Sequence, residues 1–172
     1  MNTIWIPHNG DDLRQGDILE DCYIASISES LASSQAEDII QLDTARLIVV
    51  TQSCDLENVK TPHVALCPVY TLDEFESSDQ RFKAKGRWEE VRRGKVEGLH
   101  LLPGVDTPDN NRSALVVDFK LIVSIPIGYL KRHTSELPDR PRLLTPYVEH
   151  FSQSFARFFM RVGLPSQIPR FS

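Results

Sequence analysis

Arg46-Leu-Ile-Val-Val-Thr-Gln-Ser-Cys-Asp-Leu56 is the stretch that decides the fold. From Leu47 to Thr51 every side chain is apolar or β-branched, a pattern that fits a strand buried on both faces. At Gln52 the composition turns polar, and Ser53, Cys54 and Asp55 form an elbow into a segment that runs to Pro62 and reads as a loop. A core strand therefore ends on residues able to carry chemistry.

Working outward, residues 16–27 open with Gly16-Asp17 and continue as an apolar run, a second strand. Residues 28–41, rich in Ser, Ala and acidic side chains, read as a loop or short irregular hairpin. Residues 63–71 read as a third strand, in which Pro68 removes an amide donor and so marks an edge or a bulge. Thr71-Leu-Asp-Glu74 has the spacing of a capping box and predicts a helix start. A further helical piece over 88–93 stops at Gly94, and strands follow over 99–102, 113–119 and 121–125. At the end of the chain Thr145 and Pro146 suit the N-cap and first helical position. Val148, Phe151, Phe155, Phe158, Phe159 and Val162 then recur at helical spacing until Gly163. These readings give a mostly β chain with α: a small β-barrel, a helical insertion over about 71–94 and an amphipathic C-terminal helix over about 145–163. The barrel core spans about 15–125, within one domain covering 1–172.

The 172 residues are 41% hydrophobic and 25% charged, which excludes wholesale disorder. No basic segment followed by an apolar run opens the sequence, so no signal peptide is expected. Apolar stretches broken by Lys120 and Pro126 fall short of a bilayer span. Three cysteines, Cys22, Cys54 and Cys67, fit reduced thiols in a cytoplasmic protein better than a disulfide framework. The net charge of −5 conceals an asymmetry: residues 1–80 hold 3 basic and 15 acidic side chains, whereas 81–95 hold 7 basic and 2 acidic. Such a field steers charged partners unless the two halves pair within the molecule.

The phrases Gln15-Gly-Asp-Ile18, Arg46-Leu-Ile-Val-Val50 and His63-Val-Ala-Leu-Cys-Pro68 resemble the MazF/PemK growth-inhibitor toxins over roughly residues 15–70. That resemblance implies an SH3-like barrel, and it puts Arg46 where those toxins place an RNA-cleaving arginine. The usual following Pro is Leu47 here, no Ser or Thr precedes Thr71 near the end of the third strand, and the insertion before Arg46 is longer. Thr51-Gln-Ser-Cys-Asp-Leu56 and Phe155-Ala-Arg-Phe-Phe-Met-Arg-Val-Gly-Leu-Pro165 also resemble uncharacterised bacterial proteins that carry both segments. These resemblances imply a bacterial toxin–antitoxin, mobile-element or phage-defence setting.

Three functions follow as expectations. The first is a barrel that binds a protein or nucleic-acid partner, as a monomer or homo-oligomer. Its surface would be Arg81, Lys83, Lys85, Arg87, Trp88, Arg92 and Arg93, basic groups interleaved with Phe82 and Trp88 for backbone neutralisation and base stacking. The alternative for this segment is a solvated helix whose Phe and Trp dock on the barrel. The second is a MazF-like endoribonuclease using Arg46, whose bland alternative is an ion pair with Asp17 or Asp55. The third is a hydrolase or redox sensor using Cys54 beside Asp55, with His63, His100 or His150 as base; a packed, inert thiol is the alternative. Cys54, His63 and Cys67, with Cys22, have zinc-ligand chemistry but not the paired spacing of zinc sites, so no metal or other cofactor is expected.

Overall fold

Alternation along the decisive strand places its side chains in two different cores. Ile48 and Val50 enter one apolar cluster and Leu47 and Val49 another, so the strand is buried on both faces. This computed structural model describes residues 3–32, 40–58, 60–137 and 139–160. In chain order the elements are β1 (Trp5–His8), β2 (Ile18–Ser26), β3 (Gln41–Val49), α1 (Ser53–Glu57), β4 (His63–Thr71), α2 (Leu72–Ser78), α3 (Arg87–Arg92), β5 (Leu99–Leu102), β6 (Leu115–Asp118), β7 (Val123–Pro126), α4 (Ile127–Glu136), β8 (Arg140–Leu143) and α5 (Tyr147–Phe159). The chain is mixed α/β with an antiparallel sheet in the order β2-β3-β4-β6-β5, plus β7 on β4 and a separate β1-β8 pair. No helix among the described residues is long and apolar enough to cross a membrane.

The cores explain the layering. β3, β4 and β6 send Ile48, Cys67, Val69, Leu115 and Val117 to the face covered by α5, where Phe151 is fully buried. Burying a phenylalanine of this kind stabilises by about 2–3 kcal/mol relative to leaving it in water. The opposite face carries Leu47, Val49, Val64 and Leu66 beneath α4. Leu99 and Val116 form a third cluster beneath α2 and α3.

β4 changes partner along one edge: residues 63–66 pair with β7 and 69–71 with β6. Pro68 falls between these two ladders, opposite the turn at residues 119–122 that separates β6 from β7, so its missing donor breaks no pairing there. It marks a change of partner inside the sheet rather than a sheet edge.

Several expectations need correction. The sheet is not closed into a barrel. β5 is four residues long and is followed by Pro103, which cannot donate to a further ladder. β1 reaches that end of the sheet through one side chain, with Trp5 Nε1 donating to Pro103 O at 3.0 Å. The elbow after β3 is the short helix α1 rather than a loop. α5 begins one to two residues later than expected, because the Thr145 hydroxyl donates to Glu149 Oε1 (2.8 Å) instead of capping a first-turn amide. Val162 and Gly163, expected in this helix, lie outside the described residues.

The Gly16-Asp17 phrase proves to be a structural pin. Gly16 has φ +85°, and a Cβ there would sit 2.9 Å from the Leu143 Cβ, so both turn and packing require glycine. Asp17 is fully buried and receives Arg142 Nε at 2.6 Å, Arg142 Nη2 at 2.9 Å and Arg140 Nε at 2.9 Å. The remaining guanidinium donors reach Gly10 O, Asp12 O and the Asp12 carboxylate. Burial opposes the Arg142 charge, but Asp17 and Asp12 more than offset it and raise its pKa. No buried side-chain polar atom among the described residues lacks a partner. The pin fastens residues 9–17 to β8.

Candidate functional site

The insertion between β4 and β5 is built from its caps inward. Thr71 Oγ1 accepts from the Glu74 amide (3.2 Å) and Glu74 Oε2 accepts from the Thr71 amide (2.6 Å), the capping box expected from the sequence. The backbone hydrogen bond from Thr71 holds the Glu74 carboxyl below its usual range despite some burial. Phe75, Phe82 and Trp88 then meet edge-on or tilted, with ring centroids 4.9–5.8 Å apart, and lock α2 to α3. The insertion therefore docks as the bland alternative held, through its aromatic side chains. Trp88 is nevertheless only half-buried.

Between this insertion and residues 103–114 lies a groove of ≈ 590 Å³. Its floor includes Leu72, Phe82, Trp88 and Leu101, and its rim carries Lys83, Lys85, Arg92 and Arg112 against Glu76 and Glu89. Both acids are answered internally. Glu76 accepts from Arg112 Nη1 and from Trp88 Nε1, each at 2.7 Å, and Arg112 first, then Trp88, lowers its pKa. Arg92 and Arg93 grip Glu89 and push its pKa down to about 2. No carboxylate among the described residues pairs with Lys83 or Lys85, which leaves a positive rim over an apolar floor.

The structure thus divides the seven basic-segment candidates. Lys83, Lys85, Trp88 and Arg92 line the groove, whereas Arg81, Arg87 and Arg93 do not. Arg81 is bidentate on Asp79, Arg87 pairs with Glu90 and lies 5.2 Å over the Phe82 ring, and Arg93 turns to the other side of α3. Sequence reasoning missed Arg112, whose signal was only that it closes the turn-rich stretch over 103–111.

The catalytic candidates do not converge. Arg46 Nε donates to both carboxylate oxygens of Glu20, at 2.7 and 2.9 Å, with Glu74 at 3.6 Å from Nη1. The ion pair anticipated for it is real, but its partners are Glu20 and Glu74 rather than Asp17 or Asp55, since Arg140 and Arg142 occupy Asp17 and Lys60 lies 3.6 Å from Asp55. The cleft around Arg46 is acidic, lined by Glu20, Asp21 and Glu74.

At the elbow, Thr51 Oγ1 accepts from the Ala65 amide and Ser53 Oγ from the Gln15 amide, so both hydroxyls fasten backbone. Cys54 is exposed, not packed, and its Sγ contacts are Gln52 Oε1 at 3.7 Å and Asp55 Oδ1 at 3.8 Å. Neither contact is a histidine. His63 is exposed at the start of β4, and His100 is packed between Phe119 and Phe151. Burial, followed by nearby His150, pushes its pKa down to about 4.

Cys22 and Cys67 sit in different cores, and burial pushes each thiol up to about 12. Among the described residues no three His, Cys, Asp or Glu side chains are grouped to hold a metal. Native protein should therefore release one equivalent of thiol to Ellman's reagent, removed by Cys54→Ser, and all three only on unfolding. Two or more fast thiols would contradict the placement of Cys22 and Cys67.

No protein-family model matches the sequence, and no curated protein matches it significantly.

Proposed function

We propose that this chain is a binding module that captures a short acidic, apolar-anchored segment of a protein partner in the groove beneath the insertion. The observation that carries the reading is the pairing of an apolar floor with a rim on which, among the described residues, no carboxylate forms an ion pair with Lys83 or Lys85, Glu76 acting on Lys83 only from a distance. Apolar anchors supply most affinity at such surfaces, and rim charges set orientation and association rate. A peptide suits the floor better than a nucleic acid: Phe82 is buried, the Trp88 indole N–H is already held by Glu76, and the chain has a pI of about 5.5.

The bacterial toxin–antitoxin, mobile-element or phage-defence setting and the cytoplasmic location belong to this proposal and rest on the sequence resemblance and the thiol content. An opened relative of the SH3-like barrel is the matching fold proposal. It is supported by β8 bridging to the start of β2 at Asp17–Arg142 and by Trp5 reaching Pro103. The ribonuclease reading would require Arg46 to leave two carboxylates in a cleft that repels phosphate. The Cys54 reading finds no histidine at the thiol among the described residues, only the Asp55 carboxylate.

Fluorescence anisotropy tests the proposal with a peptide holding a Leu-Phe anchor between runs of Glu, and with an oligouridylate as the competing class. The peptide should bind, and Lys83→Glu with Lys85→Glu should weaken it at least about tenfold, equivalent to about 1.4 kcal/mol. Tighter binding of the oligouridylate, or peptide binding indifferent to both lysines, would refute it.

A further inference from the structure

Large exposed apolar side chains gather on the β2–β3 arm. Of the nine among the described residues, Tyr23, Ile27, Ile40 and Leu42 belong to the β2–β3 arm, and Leu121 and Ile122 immediately precede β7. The arm projects because β3 pairs with β4 only over residues 47–49, while its pairing with β2 continues out to Ser26↔Gln41. The register Tyr23↔Thr44 and Ala25↔Leu42 puts Tyr23, Ala25 and Leu42 on one face, and the same alternation carries Ile27 and Ile40 there. Among the described residues no charged side chain stands on that face over the rungs Tyr23↔Thr44 and Ala25↔Leu42; Arg46, the next residue of that alternation, is held by Glu20, and Asp43, opposite Ile24, points the other way. Leu42, on the ladder, and Ile27, just beyond its last rung, are 64% and 75% exposed, high for side chains of their size.

The arm also forms one wall of a groove of ≈ 480 Å³, whose other wall is β7 with Tyr129 of α4. Tyr129 Oη accepts from the Tyr23 amide at 3.1 Å and fixes α4 beside the arm.

Charge selects the occupant. Residues 15–45 contain seven acidic side chains and no Lys or Arg. Asp17 and Glu20 are answered by Arg140, Arg142 and Arg46, but no Lys or Arg among the described residues pairs with Asp21, Glu29 or Asp43. A second copy laid face to face would bring like charges together at the rim, whereas a segment with apolar residues on one side and Lys or Arg at its flanks satisfies face and rim at once. We propose that the β2–β3 arm and β7 form a second docking surface, for a basic amphipathic segment of a partner protein. It goes beyond the groove beneath the insertion and uses none of its residues.

A short labelled peptide alternating Leu and Lys, and its Leu and Glu counterpart, test this in anisotropy titrations with the full chain. The basic peptide should bind and the acidic one should not. Ile27→Ser with Leu42→Ser should weaken binding at least about tenfold without moving the melting temperature, because both sites are exposed. Glu29→Lys, at an exposed acid just beyond Ile27, should weaken it in a salt-dependent manner, and Lys83→Glu with Lys85→Glu should leave it unchanged, which separates this surface from the other groove. Equal binding of both peptides, or of neither, would overturn the proposal. So would a concentration-dependent dimer that Leu42→Ser abolishes, since the face would then belong to a second copy.

Discussion

Asp17→Asn is expected to cost about 3–5 kcal/mol of stability, the range for removing one partner from a buried ion pair. The substitution keeps the shape of the side chain and removes the charge that answers both Arg140 and Arg142, whose side chains are 2% and 9% exposed. Their other acceptors, Gly10 O, Asp12 O and the Asp12 carboxylate, cannot neutralise two guanidinium groups. With a urea slope of roughly 2 kcal/mol/M, the unfolding midpoint should fall by about 2 M with little change in slope. Combining Asp17→Asn with Arg140→Met and Arg142→Met should restore part of the loss, because no buried charge is then left without a partner. A midpoint shift below about 0.5 M for the single variant would mean that the pin does not hold residues 9–17 to β8.

The second large effect is pH-dependent and centres on His100. In the folded chain its pKa falls to about 4, because burial beside Phe119 and Phe151 disfavours the imidazolium and His150 adds to the penalty. Between about pH 6.5 and 4 the unfolded chain therefore binds a proton that the folded chain does not. Stability is full above pH 6.5 and is lost progressively down to about pH 4. The loss amounts to about 3 kcal/mol at 1.36 kcal/mol per pKa unit. Carboxylates titrate in the same range, so the comparison to make is with His100→Leu, which should lack this component. Parallel stability profiles for the two proteins between pH 7 and 4 would contradict the packing of His100 against Phe119 and Phe151.

What the sequence revealed follows from how local each signal was. β4, the Thr71–Glu74 capping box and the two-faced burial of β3 were legible because alternation, a hydroxyl–carboxylate spacing and a β-branched run are properties of neighbouring residues. β8 was not: Arg140-Pro-Arg-Leu143 looks like coil until Asp17, more than a hundred residues earlier, supplies the charge that lets both arginines be buried. β1 was hidden by its shortness and by Pro7, and its partner is that same unreadable strand. α4 starts directly after the strand-ending Pro126, and its burial rests on Leu130 and Thr134, too narrow a stripe to announce a helix.

The candidate site divides along the same line. Lys83, Lys85 and Trp88 were found because they lie within one short stretch. Arg112, which closes the groove from the far side, is brought there by β5 and β6. The arginines that proved neutralised, Arg81, Arg87, Arg92 and Arg93, looked no different in sequence. Their carboxylates, Asp79, Glu90 and Glu89, are near neighbours, but only the geometry shows which cations they claim.

The central claim is that the groove beneath the insertion is a recognition surface for an acidic, apolar-anchored segment. It is tested most directly by titrating ¹⁵N-labelled protein with the Leu-Phe peptide flanked by Glu and mapping the amide shifts. Saturable changes should concentrate in residues 72–92 and 101–114, with the Trp88 indole N–H among the largest, and should vanish in Lys83→Glu with Lys85→Glu. Shifts centred instead on the Cys54 elbow, on Arg46 or on the β2–β3 arm, with the groove silent, would contradict the claim.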